Sequence, residues 1–263
     1  MTVKLYAFTC GIITGPRGHM MTGETGEITF PVPAYLIEHP KGRALFDTGL
    51  HPGLRSAPEK RFGARRAAMF RIDLPPGAEV SARLEAIGRD PDAIDLIISS
   101  HLHFDHVGGN ALVPNATLVV QRREWAAGKE PDAAEKRAFF AVDYDLGHKL
   151  RLVDGEHDVF GDGSVMCLPT HGHTPGHQSL KVRLAGGDVV LTADSCYFCQ
   201  TLRERRLPAM VHDREQFLAS LDRLEALERA GTRLFFGHDP EFWKTVPQAP
   251  AAIVKDFGVG TGK

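Results

Sequence analysis

Between Ser100 and Asn110 the chain reads S-H-L-H-F-D-H-V-G-G-N, which places His101, His103, Asp105 and His106 within six positions. Three imidazoles and a carboxylate this close together suit zinc or another late divalent ion, for which both are good ligands. The preceding run, Asp95-Leu-Ile-Ile-Ser99, is short, apolar and rich in isoleucine, as in a buried strand. If its extended geometry persists to His103, side chains two apart share a face, and His101 and His103 serve one ion together. Asp105 and His106 then fall where the chain turns towards Gly108 and Gly109, within reach of a second ion.

Other segments carry matching chemistry. Leu168 to Ser179, L-P-T-H-G-H-T-P-G-H-Q-S, holds His171, His173 and His177 in a turn-rich stretch, and not all three can be ligands. Asp194 ends an apolar run, with Tyr197 three residues later. His238 follows Phe235-Phe-Gly237 directly, and Asp47-Thr-Gly49 closes another apolar segment. Cys196-Tyr-Phe-Cys199 has redox-motif spacing but does not open a thioredoxin-like βαβ unit, so it reads as two incidental thiols.

H-L-H-F-D-H resembles the H-x-H-x-D-H signature of the metallo-β-lactamase superfamily, and the blocks around His173, Asp194 and His238 follow in that family's order. The resemblance runs from about Phe30 to Asp239. It implies an α/β fold of the αββα sandwich type, two mixed sheets flanked by helices. It also implies two divalent ions, zinc first and Fe, Co or Mn as alternatives. His101, His103 and His173 would hold one, and Asp105, His106 and His238 the other. Asp194 would bridge them, and Asp47 would orient a ligand from behind. The family's pattern of a His followed by T-P-G-H selects His173 over its neighbours.

Within the superfamily the closer likeness is to N-acyl homoserine lactone lactonases, carried by H-L-H-F-D-H-V-G-G-N, H-T-P-G-H-Q-S, Tyr197 and F-F-G-H-D. This implies opening of a lactone ring by a metal-bridging hydroxide. Tyr197 would assist at the carbonyl, Asp105 would donate a proton to the leaving alkoxide, and Phe104 would lie against the substrate. The alternative is another hydrolase of the same fold, acting on a different lactone, a thioester or a phosphodiester. Flavo-diiron relatives need a Glu where His103 stands and a fused flavin domain.

These groups need a frame. Strands are expected at Val3 to Phe8, Phe30 to Glu38, Arg43 to Phe46, Thr117 to Val120, Leu180 to Leu184, Val189 to Thr192 and Arg233 to Phe236. Helices are expected at Glu79 to Ile87, near Arg122 to Ala127 and Asp132 to Phe140, and at Asp213 to Ala230. Asp213 with Gln216 suits a capping box for the last of these, and Gly231 a stop. Tyr144 to Cys167 reads as short strands and turns. Gly11 to Gly26 reads as a glycine-rich loop, and Leu50 to Pro76 as an irregular basic segment whose apolar residues could wall the site. Met20, Met21, Met69 and Phe70 are the expected substrate contacts, methionine being suited to irregular gaps.

At 263 residues and 43% hydrophobic content the chain supports one large domain spanning residues 1–263, with no linker or repeat dividing it. Lys and Arg total 31 against 33 for Asp and Glu, which leaves no general attraction for nucleic acid or anionic membrane. The expected partner is a small-molecule lactone, with a homodimer left open. Four cysteines are too few for a disulfide scaffold, and no stretch approaches the roughly 18 apolar residues of a membrane span. A cytoplasmic protein is the expectation.

Overall fold

The computed structural model describes residues 2–254. The first sheet contains β1 (Lys4–Pro16), β2 (Glu27–His39), β3 (Gly42–Phe46), β4 (Arg71–Asp73), β5 (Leu96–Ile98), β6 (Thr117–Gln121) and β7 (Leu150–Val153), in the order β4-β1-β2-β3-β5-β6-β7. Its β1 to β4 pairings are antiparallel, and β3, β5, β6 and β7 run parallel. The second contains β8 (His157–Asp158), β9 (Val165–Pro169), β10 (Gln178–Leu184), β11 (Gly187–Ala193) and β12 (Arg233–Phe236), in the order β12-β11-β10-β9-β8. Only β11 and β12 pair in parallel there.

Alternation along the strands builds three apolar layers. Leu5, Ile37, Phe46 and Ile98 of the first sheet pack against Val165, Leu180, Val182, Leu191 and Phe235 of the second. The residues of opposite parity, such as Tyr6, Phe8, Leu36, Leu45 and Ile97, face outward and are covered by Val80 and Leu84 of the helix Val80–Glu85. On the far side Val190, Leu234 and Phe236 take the stripe Phe217, Leu221 and Leu224 of the helix Arg214–Arg229. Strands buried on both faces read as near-continuous hydrophobic runs rather than clean alternation, and these do. The layering is the expected αββα sandwich. No helix among the described residues is long and apolar enough to cross a membrane.

Several local expectations need correction. The stretch from Gly11 is not a loop: β1 continues to Pro16, pairing Ile13 with Phe30 across a register shift between Thr9 and Ile12. Gly11 sits in that shift at φ +123°, a left-handed conformation that glycine adopts without strain, so here it marks a bulge rather than a strand end. The segment after Leu50 is likewise ordered, as helices Pro58–Phe62 and Ala64–Met69 followed by β4. Both helices lack a side-chain cap, and the fully buried Phe62 anchors the first into the apolar cluster. The helix expected to reach Phe140 covers only Ala133–Arg137, and Ala138 then turns left-handed at φ 57°. A further short helix, Ala141–Tyr144, precedes β7.

Candidate metal centre and substrate pocket

The carboxyl ends of β3, β5, β11 and β12 converge on one edge of the sandwich, where open α/β sheets place their ligands. Beyond β5 the chain is irregular from Ser99 to Leu102, and Asp105 and His106 lie in the short helix Phe104–Val107. The extended geometry therefore ends at Ile98, yet His101 and His103 still meet. His173 comes from the β9–β10 turn, Asp194 follows β11, and His238 follows β12. In that turn Gly172 stands at φ +124°, and an added Cβ would lie 2.1 Å from the Phe217 amide nitrogen, so only glycine fits there.

The seven predicted ligand residues form two buried groups, His101, His103, His173 and Asp194 in one, and Asp105, His106 and His238 in the other. His101 Nε2 lies 2.8 Å from His103 Nδ1, and His173 Nε2 lies 3.1 Å from that same nitrogen. Asp194 Oδ2 faces His173 Nε2 at 3.2 Å and His101 Nε2 at 3.5 Å. Its Oδ1 faces His238 Nε2 at 3.0 Å and His106 Nε2 at 3.1 Å. Asp105 Oδ2 is 3.8 Å from His238 Nε2.

The outward ring nitrogens of His101, His103, His106 and His238 are already engaged, while His173 Nδ1 is buried without a partner among the described residues. His101 Nδ1 meets Ser100 Oγ at 2.9 Å, His106 Nδ1 donates to Asp47 at 2.8 Å, His103 Nε2 donates to the Arg137 carbonyl at 2.8 Å, and His238 Nδ1 donates to the Pro31 carbonyl at 2.9 Å. A donated proton on the outer nitrogen leaves a lone pair on the inner one. Lone pairs converging within 3.1 Å repel unless a cation sits among them. Among the described residues, buried His106 Nε2 and Asp194 Oδ1 have no hydrogen-bond partner, as expected of atoms reserved for a cation. The donor set of imidazole and carboxylate fits divalent ions. His177, by contrast, is used up: its Nε2 accepts from the Asp194 amide at 3.1 Å and its Nδ1 meets Thr170 Oγ1 at 2.9 Å. His171 Nδ1 is tied to the His177 carbonyl.

Electrostatics agree with this division. Burial holds His101 and His103 well below the ordinary imidazole value, so they stay neutral. Burial also opposes charge on His106, but the carboxylates of Asp194, Asp105 and Asp47 outweigh it and raise its pKa well above normal. The positive charge these carboxylates demand is what a metal ion supplies. Asp194 stays ionised because the surrounding histidines, His106 foremost, overcome its burial.

Above the centre lies a pocket with apolar walls from Ile13, Met20, Phe30, Phe70 and Phe104. Tyr197 forms part of its floor, its ring 5.3 Å from that of His238 and 5.6 Å from that of His173. Burial, then the charges of Asp194 and Asp105, push its phenol well above the usual value, so it remains a proton donor. Phe104 packs on Phe62 at 4.9 Å. Of the expected contacts, Met20, Phe70 and Phe104 line this pocket. Met21 does not: it is buried in the adjoining apolar cluster, its sulfur 3.8 Å from Arg206 Nη1. Met69 lines a neighbouring groove with Arg65. His19, Arg66 and Met210 also line the pocket and were not anticipated.

Residues 28–238 match the model of the metallo-β-lactamase superfamily. The chain belongs to that superfamily. Among its relatives, the N-acyl homoserine lactonase AttM of Azorhizobium caulinodans is 33% identical over 238 residues, 88% of this chain and 90% of that protein. The N-acyl homoserine lactonase AiiA of Bacillus thuringiensis subsp. kurstaki is 33% identical over 229 residues, 86% of this chain and 88% of that one. A solved N-acyl homoserine lactone hydrolase, with the product N-hexanoyl-L-homoserine at its catalytic metal centre, superposes with a TM-score of 0.86 at 30% identity. That match covers 96% of this chain and all of the solved one.

In this metallo-β-lactamase fold the groups behind the centre are as well defined as those within it. Asp47, left-handed at φ 58°, accepts from the Ser100 amide at 2.7 Å, from Ser100 Oγ at 2.8 Å and from His106. Glu124, which the sequence did not single out, accepts from the amides of Leu102 at 3.1 Å and Gly176 at 2.7 Å. It thereby ties the His101–His103 loop to the His173 turn. Burial pushes its carboxyl up to about 7 against the pull of those donors. We expect Asp47→Ala to weaken metal retention about 10- to 100-fold, the usual cost of losing such a partner. Competition with a chromophoric chelator measures this, and unchanged affinity would show that Ser100 alone holds the His106 loop.

Proposed function

We propose that the protein is a metal-dependent hydrolase that opens the lactone ring of N-acyl homoserine lactones. The observation that carries the reading is the split of the Asp194 carboxylate, one oxygen towards His101 and His173 and the other towards His106 and His238. That arrangement supports a pair of ions, one held by His101, His103 and His173 and the other by Asp105, His106 and His238, with Asp194 shared. Zinc is our first assignment, with Fe, Co and Mn open to the same ligands. When bound, such a pair supplies an activated water at neutral pH and polarises the carbonyl under attack.

The chain's own residues do the rest. The apolar wall of Ile13, Met20, Phe30, Phe70 and Phe104 removes the acyl chain from water and holds the ring over the centre. Tyr197, protonated and at the pocket floor, donates to the oxygen that gains charge as the carbonyl becomes tetrahedral. Asp105, a carboxylate that also lines the pocket, takes up the proton released by the attacking water and passes it to the ring oxygen as its bond to carbon breaks. The product is the ring-opened hydroxy acid. We further take the whole chain as one domain serving this reaction, and its place as the cytoplasm, where its four free cysteines suit a reducing medium.

The test is hydrolysis of acylated homoserine lactones alongside γ-butyrolactone, a δ-lactone, a thioester and a phosphodiester. We expect the acylated lactones to have the highest kcat/KM, because only they fill the apolar wall. Faster turnover of the thioester or phosphodiester would overturn the reading.

A further inference from the structure

Besides the residues of the metal centre and Tyr197, two polar side chains line the pocket, His19 and Arg66. Arg66 lies on the helix Ala64–Met69, half-buried, with its guanidinium carbon 5.3 Å from the centroid of Phe140. On either side of it in the chain, Arg61 is paired with Asp143 and Arg71 with Glu27. Arg66 has none within ion-pair or hydrogen-bond distance among the described residues. Burial and the adjacent Arg65 both work against its charge. His19 is also half-buried, edge-on to Phe70 at 5.5 Å, with no hydrogen-bond partner for its ring nitrogens among the described residues. Burial and Arg66 keep it neutral, with one N–H to donate.

Donors left unmatched in an apolar wall are matched by whatever occupies the pocket. We propose that Arg66, supported by His19, recognises an oxygen acceptor on the acyl chain of the substrate, selecting chains oxidised near the amide over saturated ones. This rests on the lactone-hydrolase reading. The placement follows from the lining: Arg66 and His19 line both the pocket that contains Tyr197 and the adjoining groove with Met69 and Arg65, and so stand where the two meet. The acceptor is accordingly assigned to the stretch of acyl chain between the amide and that groove.

Because Arg66 is only half-buried, water replaces part of the lost bond, and discrimination is modest beside that of a fully enclosed donor. We expect about tenfold. The experiment compares N-octanoyl and N-(3-oxooctanoyl) homoserine lactone in wild type, Arg66→Met and Arg66→Lys, with bound metal measured in each. Wild type should favour the oxo substrate about tenfold in kcat/KM, chiefly through KM. Arg66→Met should bring that ratio to about one, and Arg66→Lys should keep part of it. A merely structural role would slow both substrates alike and leave the ratio intact. A wild-type ratio near one, or a ratio that survives Arg66→Met, overturns the proposal. Calorimetry with the ring-opened acids of the same two chains separates this from the lactonase reading. If neither lactone is turned over but the oxo acid binds about tenfold tighter and loses that advantage in Arg66→Met, the selectivity stands and the lactonase reading falls. Equal binding of the two acids ends the proposal.

Discussion

Asp194→Ala is expected to lower kcat/KM for lactone opening by on the order of 10³-fold. Four imidazole nitrogens lie 3.0–3.5 Å from its two oxygens, so no neighbour can take over the role. Its removal leaves each cluster short of an anionic ligand and leaves the four imidazoles that faced it around an empty volume. Charge stabilisation by a metal pair is worth several kcal/mol, and about 4 kcal/mol converts to that factor. Elemental analysis should show the stoichiometry falling from two ions per chain towards one. Asp194→Asn keeps the shape and one oxygen but not the charge, and should fall between. Two ions and wild-type turnover in either variant would sink the shared-ligand assignment.

Tyr197→Phe should cost less, roughly tenfold to a hundredfold in kcat/KM. A lone oxyanion donor is worth on the order of 10²–10³, and here a metal ion shares the load. The substitution keeps the ring contacts with His173 and His238 and removes only the hydroxyl. Metal content should therefore be unchanged. The backbone that carries Tyr197 is held independently of its hydroxyl, since its carbonyl accepts from the His238 amide at 2.9 Å and the Cys199 amide donates to Asp239 at 3.0 Å. Full activity in the variant would reduce Tyr197 to packing, and loss of metal would make it a support of the centre.

How legible each part is from sequence follows from how local its determinants are. His101, His103, Asp105 and His106 crowd one turn, so their chemistry shows without any tertiary knowledge. The helix Arg214–Arg229 shows for the same reason, its cap at Asp213 and its apolar stripe both lying within the segment. Choosing His173 over His171 and His177 needed the resemblance, because only the folded turn reveals which ring nitrogens are already bonded. The pocket wall was least legible. His19, Arg66 and Met210 come from three distant segments, and no spacing rule links them. Met20 and Met21 are adjacent, and which one faces the pocket depends on a four-residue helical turn at Arg17–Met20. Glycine content hid the second half of β1, where a bulge and pairing to both β2 and β4 override local propensity.

The centre takes His101, His103, Asp105 and His106 from the edge of the first sheet, and His173, Asp194 and His238 from the second. Ions held there act as a rivet between halves that are made at different times during synthesis. The H-L-H-F-D-H loop emerges first and offers only part of each coordination sphere, so metal loading can finish only after β12 is in place. Before that, the crowded inward nitrogens of His101, His103 and His173 work against docking the two sheets. Loading and folding are consequently linked equilibria: free metal at 100 times its dissociation constant adds about 2.7 kcal/mol per site to the folded state.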